Sequence, residues 1–305
     1  AGLGLTIARD LVRLHGSDIN VESKVGEGST FSFVLRLHLA NAADLAETSE
    51  SHIAVHDTSL KLLVADDNAY NQEIALEALK RHFPKAEVTF AVNGKEAVEQ
   101  AASKDFDVIL MDIQMPEMNG LQATASIRQW PGSKSQVPIV ALTATSTQEE
   151  IQGALNAGMD SHLGKPFRPA ELARLLINML GLDTTEVAMP EKDATPLDSK
   201  PLEIVAYQLD FLRDFCDGDE EQMKYFINKF EKQLPVELEK MESAISNRDQ
   251  EVLYRTAHSF RPQLEFVGLH AAAMKILSIE KGAREGQPME YLGEIFEDIK
   301  QNHLP

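Results

Sequence analysis

One apolar run that ends in a carboxylate constrains the fold of this chain most strongly. Residues 108–111, VILM, are all hydrophobic, which is typical of a strand buried on both faces of a parallel sheet. Asp112 follows them directly. Open α/β sheets bind their ligands at the edge where the strands end. The sequence therefore predicts that Asp112 lies at a ligand-binding edge.

A second acidic site follows a similar run. Residues 60–65, LKLLVA, are mostly apolar and lead into Asp66 and Asp67. If the two runs are neighbouring strands, three carboxylates converge at one edge. Two like charges ~4 Å apart cost about 4 kcal/mol at an effective dielectric of ~20, so such a cluster requires a cation or a proton. A site made only of oxygen ligands favours Mg²⁺ or Ca²⁺ over zinc.

The region from residue 60 to residue 181 alternates between strand and helix patterns. The predicted strands are residues 60–65, 87–91, 108–111, 137–142 and 161–163. The predicted helices are residues 69–82, 94–103, 120–129, 147–157 and 169–180. Asn93 before the second helix and Gly158 after the fourth support these ends. Five such units predict a doubly wound, five-stranded parallel sheet.

A charged stretch with several prolines, residues 182–201, is typical of a linker, and only helical patterns follow it. The apolar positions of residues 223–245 recur every three or four residues and predict a long amphipathic helix. Asp219 is its expected cap, and Pro235 predicts a bend. Residues 202–305 are therefore expected to form an all-α bundle. Its other predicted helices are residues 253–266, 271–279 and 291–299.

Residues 1–38 have an α+β pattern. Gly2 and Gly4 precede a helical spacing of apolar residues, and a glycine turn that opens a helix can hold a phosphate, although these glycines can equally be plain turn residues. Alternating residues 19–37 predict a hairpin. Residues 39–59 are polar, lack sustained periodicity and are interpreted as a linker.

Composition narrows the classes of partner. The net charge of −19 and pI near 4.9 argue against nucleic acid or an anionic membrane as a partner, because the 48 acidic residues outnumber the 29 Lys and Arg residues that could neutralise phosphates. The single cysteine, Cys216, excludes an internal disulfide and fits a reducing compartment, so a cytoplasmic location is expected. No apolar run has transmembrane length. Because the chain begins at Ala1, a membrane anchor upstream in the parent protein is an alternative that the sequence leaves open.

Residues 60–181 resemble the receiver domain of two-component signalling. The resemblance implies a flavodoxin-like fold and phosphorylation of an aspartate by a phosphohistidine, with Mg²⁺ as cofactor. The positions that carry it are an acidic pair, the acceptor, the loop after the acceptor, the threonine of ALTA and the lysine of KPF: Asp66, Asp67, Asp112, Pro116, Gly120, Thr143 and Lys165.

The resemblance assigns each of these side chains a role. Asp112 is the nucleophile, and the acidic pair holds Mg²⁺ together with Asp112 and the backbone carbonyl of Gln114. Lys165 pairs with the phosphoryl oxygens, and Thr143 donates a hydrogen bond to one of them. The Lys165–Pro166 bond is a candidate cis peptide that aims the lysine. His162 stands where receivers commonly have Tyr or Phe, which leaves the strength of a phosphorylation switch open.

The helix around AHSFRPQLEFVGL carries the second resemblance. His258 is predicted at the edge of the apolar stripe, facing water, with Arg261 on the same face. The local sequence resembles a histidine phosphotransfer domain, with His258 as the phosphoacceptor, a basic residue at Arg261, and Gly268 where close helix packing lets a partner approach. Pro262 replaces the family's usual glycine, and Arg261 replaces the commoner lysine.

The GLGL segment and the hairpin after it resemble the end of a histidine kinase ATP-binding domain. Gly2 and Gly4 would belong to its second glycine box, but the family's earlier boxes are absent, so residues 1–38 are interpreted as a remnant. The whole chain thus resembles the C-terminal part of a hybrid histidine kinase. The implied relay runs from the histidine of a kinase core to Asp112, then to His258, and finally to a separate response regulator receiver.

Two alternatives stay open. One is an ATP-dependent kinase, an activity expected of the parent protein because this chain lacks most of the ATP site; whether the chain itself is an enzyme is uncertain. The other is an interaction module in which phosphorylation only changes binding. The sensed signal, the downstream regulator, the direction of net phosphate flow and the oligomeric state cannot be predicted.

Overall fold

The chain folds into two compact units, residues 1–51 and residues 52–305. The computed structural model describes residues 12, 17–24, 28–34, 55–144, 147–182 and 208–304. In the first unit, β1 (Asn20–Lys24) and β2 (Gly28–Ser32) form an antiparallel pair, as the alternating pattern predicts. Gly2 and Gly4 lie outside the described residues, so the interpretation of this segment as a kinase remnant stays a prediction.

The second unit contains the predicted five-stranded parallel sheet. Its strand order is β4-β3-β5-β6-β7. Ala65 pairs with Met111 and Asp112 pairs with Leu142, so the strands end together at one edge. The strands are β3 (Lys61–Ala65), β4 (Glu87–Ala91), β5 (Val108–Asp112), β6 (Ile139–Thr143) and β7 (Ser161–Gly164).

Among the described residues 55–144 and 147–182, five α-helices cover this sheet. The residues at two helix ends explain where these helices begin and end. The Asn68 side chain accepts hydrogen bonds from Tyr70 and Asn71 and caps the first helix, and Gly158 ends the fourth in a left-handed conformation. The helices are α1 (Ala69–His82), α2 (Gly94–Ser103), α3 (Gly120–Arg128), α4 (Gln148–Ala157) and α5 (Pro169–Leu180).

The described part of residues 202–305 is entirely helical, as predicted. The long helix begins after the Asp219 cap and continues past Pro235 to Ser246. A short helix before it was not predicted. The helices are α6 (Asp210–Phe215), α7 (Glu220–Ser246), α8 (Gln250–Phe266), α9 (His270–Arg284) and α10 (Met289–Asn302).

None of the helices in the described ranges combines the length and the hydrophobicity that crossing a bilayer requires.

The bundle packs directly on the sheet domain through α1 and α7. Tyr70 of α1 is buried, and its ring lies against Phe226, Phe230 and Phe266 of the bundle. Its hydroxyl donates to the Phe226 carbonyl at 3.1 Å. Burial of an apolar side chain of similar size contributes about 1.5–3 kcal/mol. The buried apolar residues of the two regions therefore form one continuous core.

Charged and polar pairs surround this apolar contact. Arg81 lies 3.0 Å from Asp217, and Arg168 lies 3.3 Å from Asp214. Glu73 of α1 bonds Tyr225 and Lys229 of α7. Solvent-exposed ion pairs contribute at most about 1 kcal/mol each. These contacts therefore fix the orientation of the bundle on the sheet domain more than they stabilise the packing of the two.

Candidate functional site

Three carboxylates meet at the edge where β3 and β5 end. One oxygen from each of Asp66, Asp67 and Asp112 lies within 4.8 Å of the others. Asp66 and Asp112 are both 1% exposed, whereas Asp67 faces solvent. The convergence that the two apolar runs predict is therefore present.

Lys165 neutralises part of this charge. It directly follows β7, and the peptide bond from Lys165 to Pro166 is cis. Its Nζ lies 2.7 Å from Asp112 Oδ2 and 2.9 Å from Asp66 Oδ2. Burial opposes its protonation, but Asp112 and Asp66 outweigh burial and raise the pKa of Lys165 above its usual value. The ammonium is thus held charged between two buried carboxylates.

One ammonium does not balance three carboxylates. Desolvation, reinforced by Asp66 and Asp112, raises the pKa of Asp67 to about 7 from an ordinary 3.8. Desolvation also raises the pKa of Asp66. The remaining negative charge and the all-oxygen donor set fit a hard divalent cation such as Mg²⁺. Asp67 is the carboxylate that Lys165 does not contact.

Thr143 ends β6 at the same edge, one strand from Asp112. Its side chain is buried, and Oγ1 has no hydrogen-bond partner among the described residues. An unpaired buried hydroxyl costs about 1–3 kcal/mol. The site therefore contains a donor that an incoming oxygen could satisfy.

His258 and Arg261 do not face water, contrary to the sequence-based prediction. His258 is 2% exposed and Arg261 is 5% exposed. The prediction was wrong because it considered the bundle alone, whereas the sheet domain covers this face of α8. His258 Nδ1 lies 2.7 Å from Glu280 Oε1 of α9, and no hydrogen bond to Nε2 is found among the described residues.

The face of α8 that carries His258 lies over the carboxylate site. Tyr254, His258 and Pro262 follow a four-residue spacing, so they share one face of the helix. Tyr254 lines a cleft of about 340 Å³ with Gln114, two residues after the acceptor. Pro262 lines a small cavity with Asp66 and Lys165. His258 lies midway between them on this face of α8, which covers the edge that carries the carboxylates.

The remaining predicted residues lie at the margin of this arrangement. His162 is exposed on β7 and pairs in register with Ala141. Gly268 lies in the turn after α8 with φ +78°, and a Cβ there would come within 2.1 Å of the Gln208 carbonyl oxygen. The close approach at Gly268 is thus made by a segment of the bundle itself.

Sequence reasoning missed Glu280 and the Asn68–Glu237 contact. Asn68, next to the acidic pair, donates to the buried carboxylate of Glu237 on α7 at 3.3 Å. Glu280 shares the buried stripe of α9 with Ile276 and Ala283. A glutamate at a core position of a helical pattern is a signal that could have identified it.

Comparison with known proteins relates this chain to receiver domains and sensor histidine kinases. Residues 62–177 match the family model of the response regulator receiver domain. The sensor histidine kinase AruS of Pseudomonas aeruginosa is 38% identical over 57% of this chain and 17% of its own length. The aerobic respiration control sensor protein ArcB of Escherichia coli is 27% identical over 99% of this chain and 38% of its own length. The chain thus spans a minor part of each relative.

A solved structure is also similar in sequence. It is the receiver domain of a Pseudomonas aeruginosa sensor histidine kinase with a magnesium ion in its active-site cleft, 36% identical over 41% of this chain and 99% of that chain, with a TM-score of 0.38. The family match and the sensor-kinase relatives place the chain in two-component phosphorelay signalling. Residues 62–177 are a response regulator receiver domain, and the chain is a relative of hybrid sensor histidine kinases.

Proposed function

We propose that this chain transfers a phosphoryl group between Asp112 of the receiver and His258 of the bundle. The observation that carries the proposal is the position of α8, whose His258 face covers the site where Lys165 holds Asp112.

In the loading step, a carboxylate oxygen of Asp112 attacks the phosphorus of a donor phosphohistidine. The O–P bond forms as the P–N bond breaks, and the electron pair returns to the donor imidazole. Asp66, Asp67, Asp112 and the backbone carbonyl of Gln114 would hold Mg²⁺, which when bound supplies positive charge to the transferring oxygens.

Two further side chains would stabilise the transferring group. Lys165 is close enough to exchange its contact with Asp112 for one with a phosphoryl oxygen. Thr143 Oγ1 would donate to another oxygen and so gain the partner it lacks. Donors fixed in a buried site lower the barrier because they require little rearrangement during the reaction.

In the second step, the Nε2 lone pair of His258 attacks the phosphorus on Asp112. The N–P bond forms, the P–O bond to Asp112 breaks, and its electron pair restores the carboxylate. We propose that a histidine kinase core is the donor for the first step. A separate receiver would then accept the group from His258.

The test uses the full chain with labelled acetyl phosphate, a small acyl phosphate, and Mg²⁺. Wild type is expected to carry both acyl phosphate and acid-labile phosphohistidine. Asp112→Asn should carry neither, and His258→Gln should carry only the acyl phosphate. Removal of one preorganised donor by Thr143→Ala should slow the loading of Asp112 by about 10²–10³-fold.

The same experiment separates the relay from an interaction module. Label that stops at Asp112 in wild type would contradict transfer to His258 and leave phosphorylation-controlled binding as the function of the bundle. Omission of Mg²⁺ or its chelation should abolish loading. Loading that is unaffected by chelation would contradict the proposed metal role of the acidic pair.

A further inference from the structure

We infer that Glu237 of α7 selects which receiver can dock on the bundle: it admits a receiver with a side-chain hydrogen-bond donor directly after its acidic pair and excludes one with a carboxylate there. In this chain the donor is Asn68, which directly follows Asp66 and Asp67. The inference rests on the proposed function and deepens it, because it states the chemistry that a partner of the same site must have.

Glu237 is a charged residue at a buried position of its helix. It is 1% exposed and shares a face of α7 with the buried side chains of Phe230 and Leu234. The ring of Phe230 lies against Tyr70 of the receiver, so this face of α7 meets the receiver. A carboxylate is almost never fully buried unless it is paired. The contacts of Glu237 therefore decide whether its burial is tolerated.

Among the described residues, three groups donate hydrogen bonds to Oε1 of Glu237. Gln233 Nε2 lies 2.7 Å away and Lys240 Nζ lies 3.0 Å away, and both side chains belong to α7 itself. Asn68 Nδ2 lies 3.3 Å away and belongs to the receiver. Docking removes water from the carboxylate, so the receiver must supply a donor in its place. A receiver without one would leave a desolvated charge with one partner too few.

The cap of α1 fixes which end of the Asn68 amide faces Glu237. Asn68 Oδ1 accepts hydrogen bonds from the backbone N–H groups of Tyr70 and Asn71. The Nδ2 group, which only donates, is therefore the end that faces the bundle. An aspartate would cap the helix equally well, because one of its two oxygens can accept the same bonds. Its other oxygen would then point at Glu237.

A carboxylate in the place of Asn68 would be rejected by charge. Two carboxylates would be brought together in a region from which water is excluded, where like charges repel more strongly than they do in water. Such like-charge contacts suppress wrong partners at protein interfaces. A separate receiver that accepts the phosphoryl group from His258 would meet Glu237 as well, because it must approach the same face of the bundle. That receiver should therefore have an amide or cationic side chain directly after its acidic pair.

The ion pairs at the rim of the interface are less suited to selection. Asp217, the partner of Arg81, has a side chain that is 78% exposed, and Asp214, the partner of Arg168, has one that is 51% exposed. Water can solvate such groups when a partner does not match them, so exposed pairs contribute little. Glu237 is buried, and water cannot relieve a mismatch there.

Variants of the full chain at positions 68 and 237 test the inference. Asn68→Asp keeps a capping residue and converts this receiver into one of the excluded class. Glu237→Gln can accept a bond from Asn68 through its carbonyl oxygen, or donate one to an aspartate through its amide. The double variant Asn68→Asp/Glu237→Gln therefore restores a hydrogen bond, and its net charge equals that of wild type.

A second double variant controls for net charge. Glu239 is an exposed residue of α7, two positions after Glu237. Asn68→Asp/Glu239→Gln has the same net charge as the first double variant but keeps the carboxylate of Glu237. A general effect of added charge beside Asp66 and Asp67 would respond equally to both second substitutions. An effect of direct contact would respond only to Glu237→Gln.

Two properties are measured on each variant. The first is the rate at which phosphate moves from Asp112 to His258 after loading with acetyl phosphate and Mg²⁺. The second is the reactivity of His258 with diethylpyrocarbonate, read by mass spectrometry, which reports docking without any phosphate. Asn68→Asp should transfer about 10- to 100-fold more slowly, the range that a hydrogen bond to a charged group commonly controls, and its His258 should react faster. Glu237→Gln and Asn68→Asp/Glu237→Gln should stay close to wild type.

The outcomes separate the inference from the relay. Restoration of both properties by Glu237→Gln, and not by Glu239→Gln, would support selection by Glu237. Wild-type behaviour of Asn68→Asp, slow transfer with unchanged reactivity of His258, or a rescue that is absent or equal in the two double variants would overturn the inference and leave the relay intact. Absence of phosphohistidine in wild type would instead overturn the proposed function, and the reactivity of His258 would still decide the role of Glu237.

Discussion

Asp67 is the residue in which the electrostatic imbalance of the site is most evident. Lys165 satisfies the two buried carboxylates beside it, and Asp67 is left with like charges as neighbours and a pKa of about 7. In the metal-free protein this carboxyl therefore titrates near neutral pH. The side chain that would bind a cation most readily is thus the one whose charge is least compensated.

We predict that Asp67→Asn changes how stability depends on pH. The folded-state pKa of Asp67 is raised to about 7 from 3.8, so its favourable contribution is complete below about pH 4 and is lost as pH rises through about 7. Wild type should therefore lose stability relative to Asp67→Asn across this window when chelator is present. Urea unfolding at several pH values measures this difference.

Saturating Mg²⁺ provides the control for that prediction. Because the cation would bind the ionised carboxylate, it should stabilise wild type most at the upper end of the window and should affect Asp67→Asn much less. Parallel pH profiles for the two proteins in chelator would contradict the raised pKa. Equal stabilisation of both proteins by Mg²⁺ would contradict a role for Asp67 in binding it.

The turn between α8 and α9 shows how one position can fix the packing of helices. Gly268 has φ +78°, and the Gln208 carbonyl leaves no room for a Cβ there. Gly153 within α4 has open space around its Cα. Of these two glycines, the structure requires only Gly268.

We predict opposite effects of alanine at these two glycines. Gly268→Ala should lower the free energy of unfolding by at least about 1–3 kcal/mol, because it combines backbone strain with a steric clash. Gly153→Ala should raise it by about 0.5–1 kcal/mol through helix propensity. Chemical denaturation measures both, and a neutral Gly268→Ala would contradict the close packing against Gln208.

The elements themselves were largely predictable, and their mutual contacts were not. Helix α1 was predicted with its observed ends, residues 69–82, and the structure shows that the Asn68 side chain caps it. The six residues of α6 are too few to establish a helical period, so it was missed. Periodicity also shows that a face of α8 is apolar without showing what covers it, which is why His258 was wrongly expected to face water.

The candidate site likewise contains residues that were predicted from the sequence and contacts that were not. The carboxylates after two apolar runs were predicted because strand ends share an edge, whereas Thr143 and Lys165 were assigned by the resemblance to receiver domains. Glu280, Arg261's bond to Ala144 and the contact between Asn68 and Glu237 depend on how two regions dock. Contacts of this kind have no local pattern from which they could be predicted.

In residues 52–305, the receiver and the helical bundle form one compact unit. Tyr70 is central to their contact, since its ring is buried among bundle aromatics while charged pairs surround it. The boundaries at residues 60–181 and 202–305 stay predictions. Their shared core indicates that docking of the bundle and burial of His258 occur together.

We predict that Tyr70→Ala loosens this docking and exposes His258. Removal of a buried aromatic ring costs about 3–5 kcal/mol, and here that cost falls on the contact between α1 and α7. His258 should then react faster with diethylpyrocarbonate, as measured by mass spectrometry of the peptide that contains it. Tyr291→Ala, at a half-exposed position on α10, is the matched control. Equal reactivity in the two variants would contradict the contribution of Tyr70 to docking.

The burial of Asp112 and His258 beneath the same contact limits the order in which outside proteins can act. Because both side chains are buried, in the proposed relay a donor could not approach the aspartate, and a final acceptor could not approach the histidine, while that contact is closed. In the proposed relay, each phosphoryl group would therefore require one opening to enter and a second opening to leave. The lifetime of the closed arrangement, rather than the chemistry within it, would then set the upper limit on the rate of signalling through this chain.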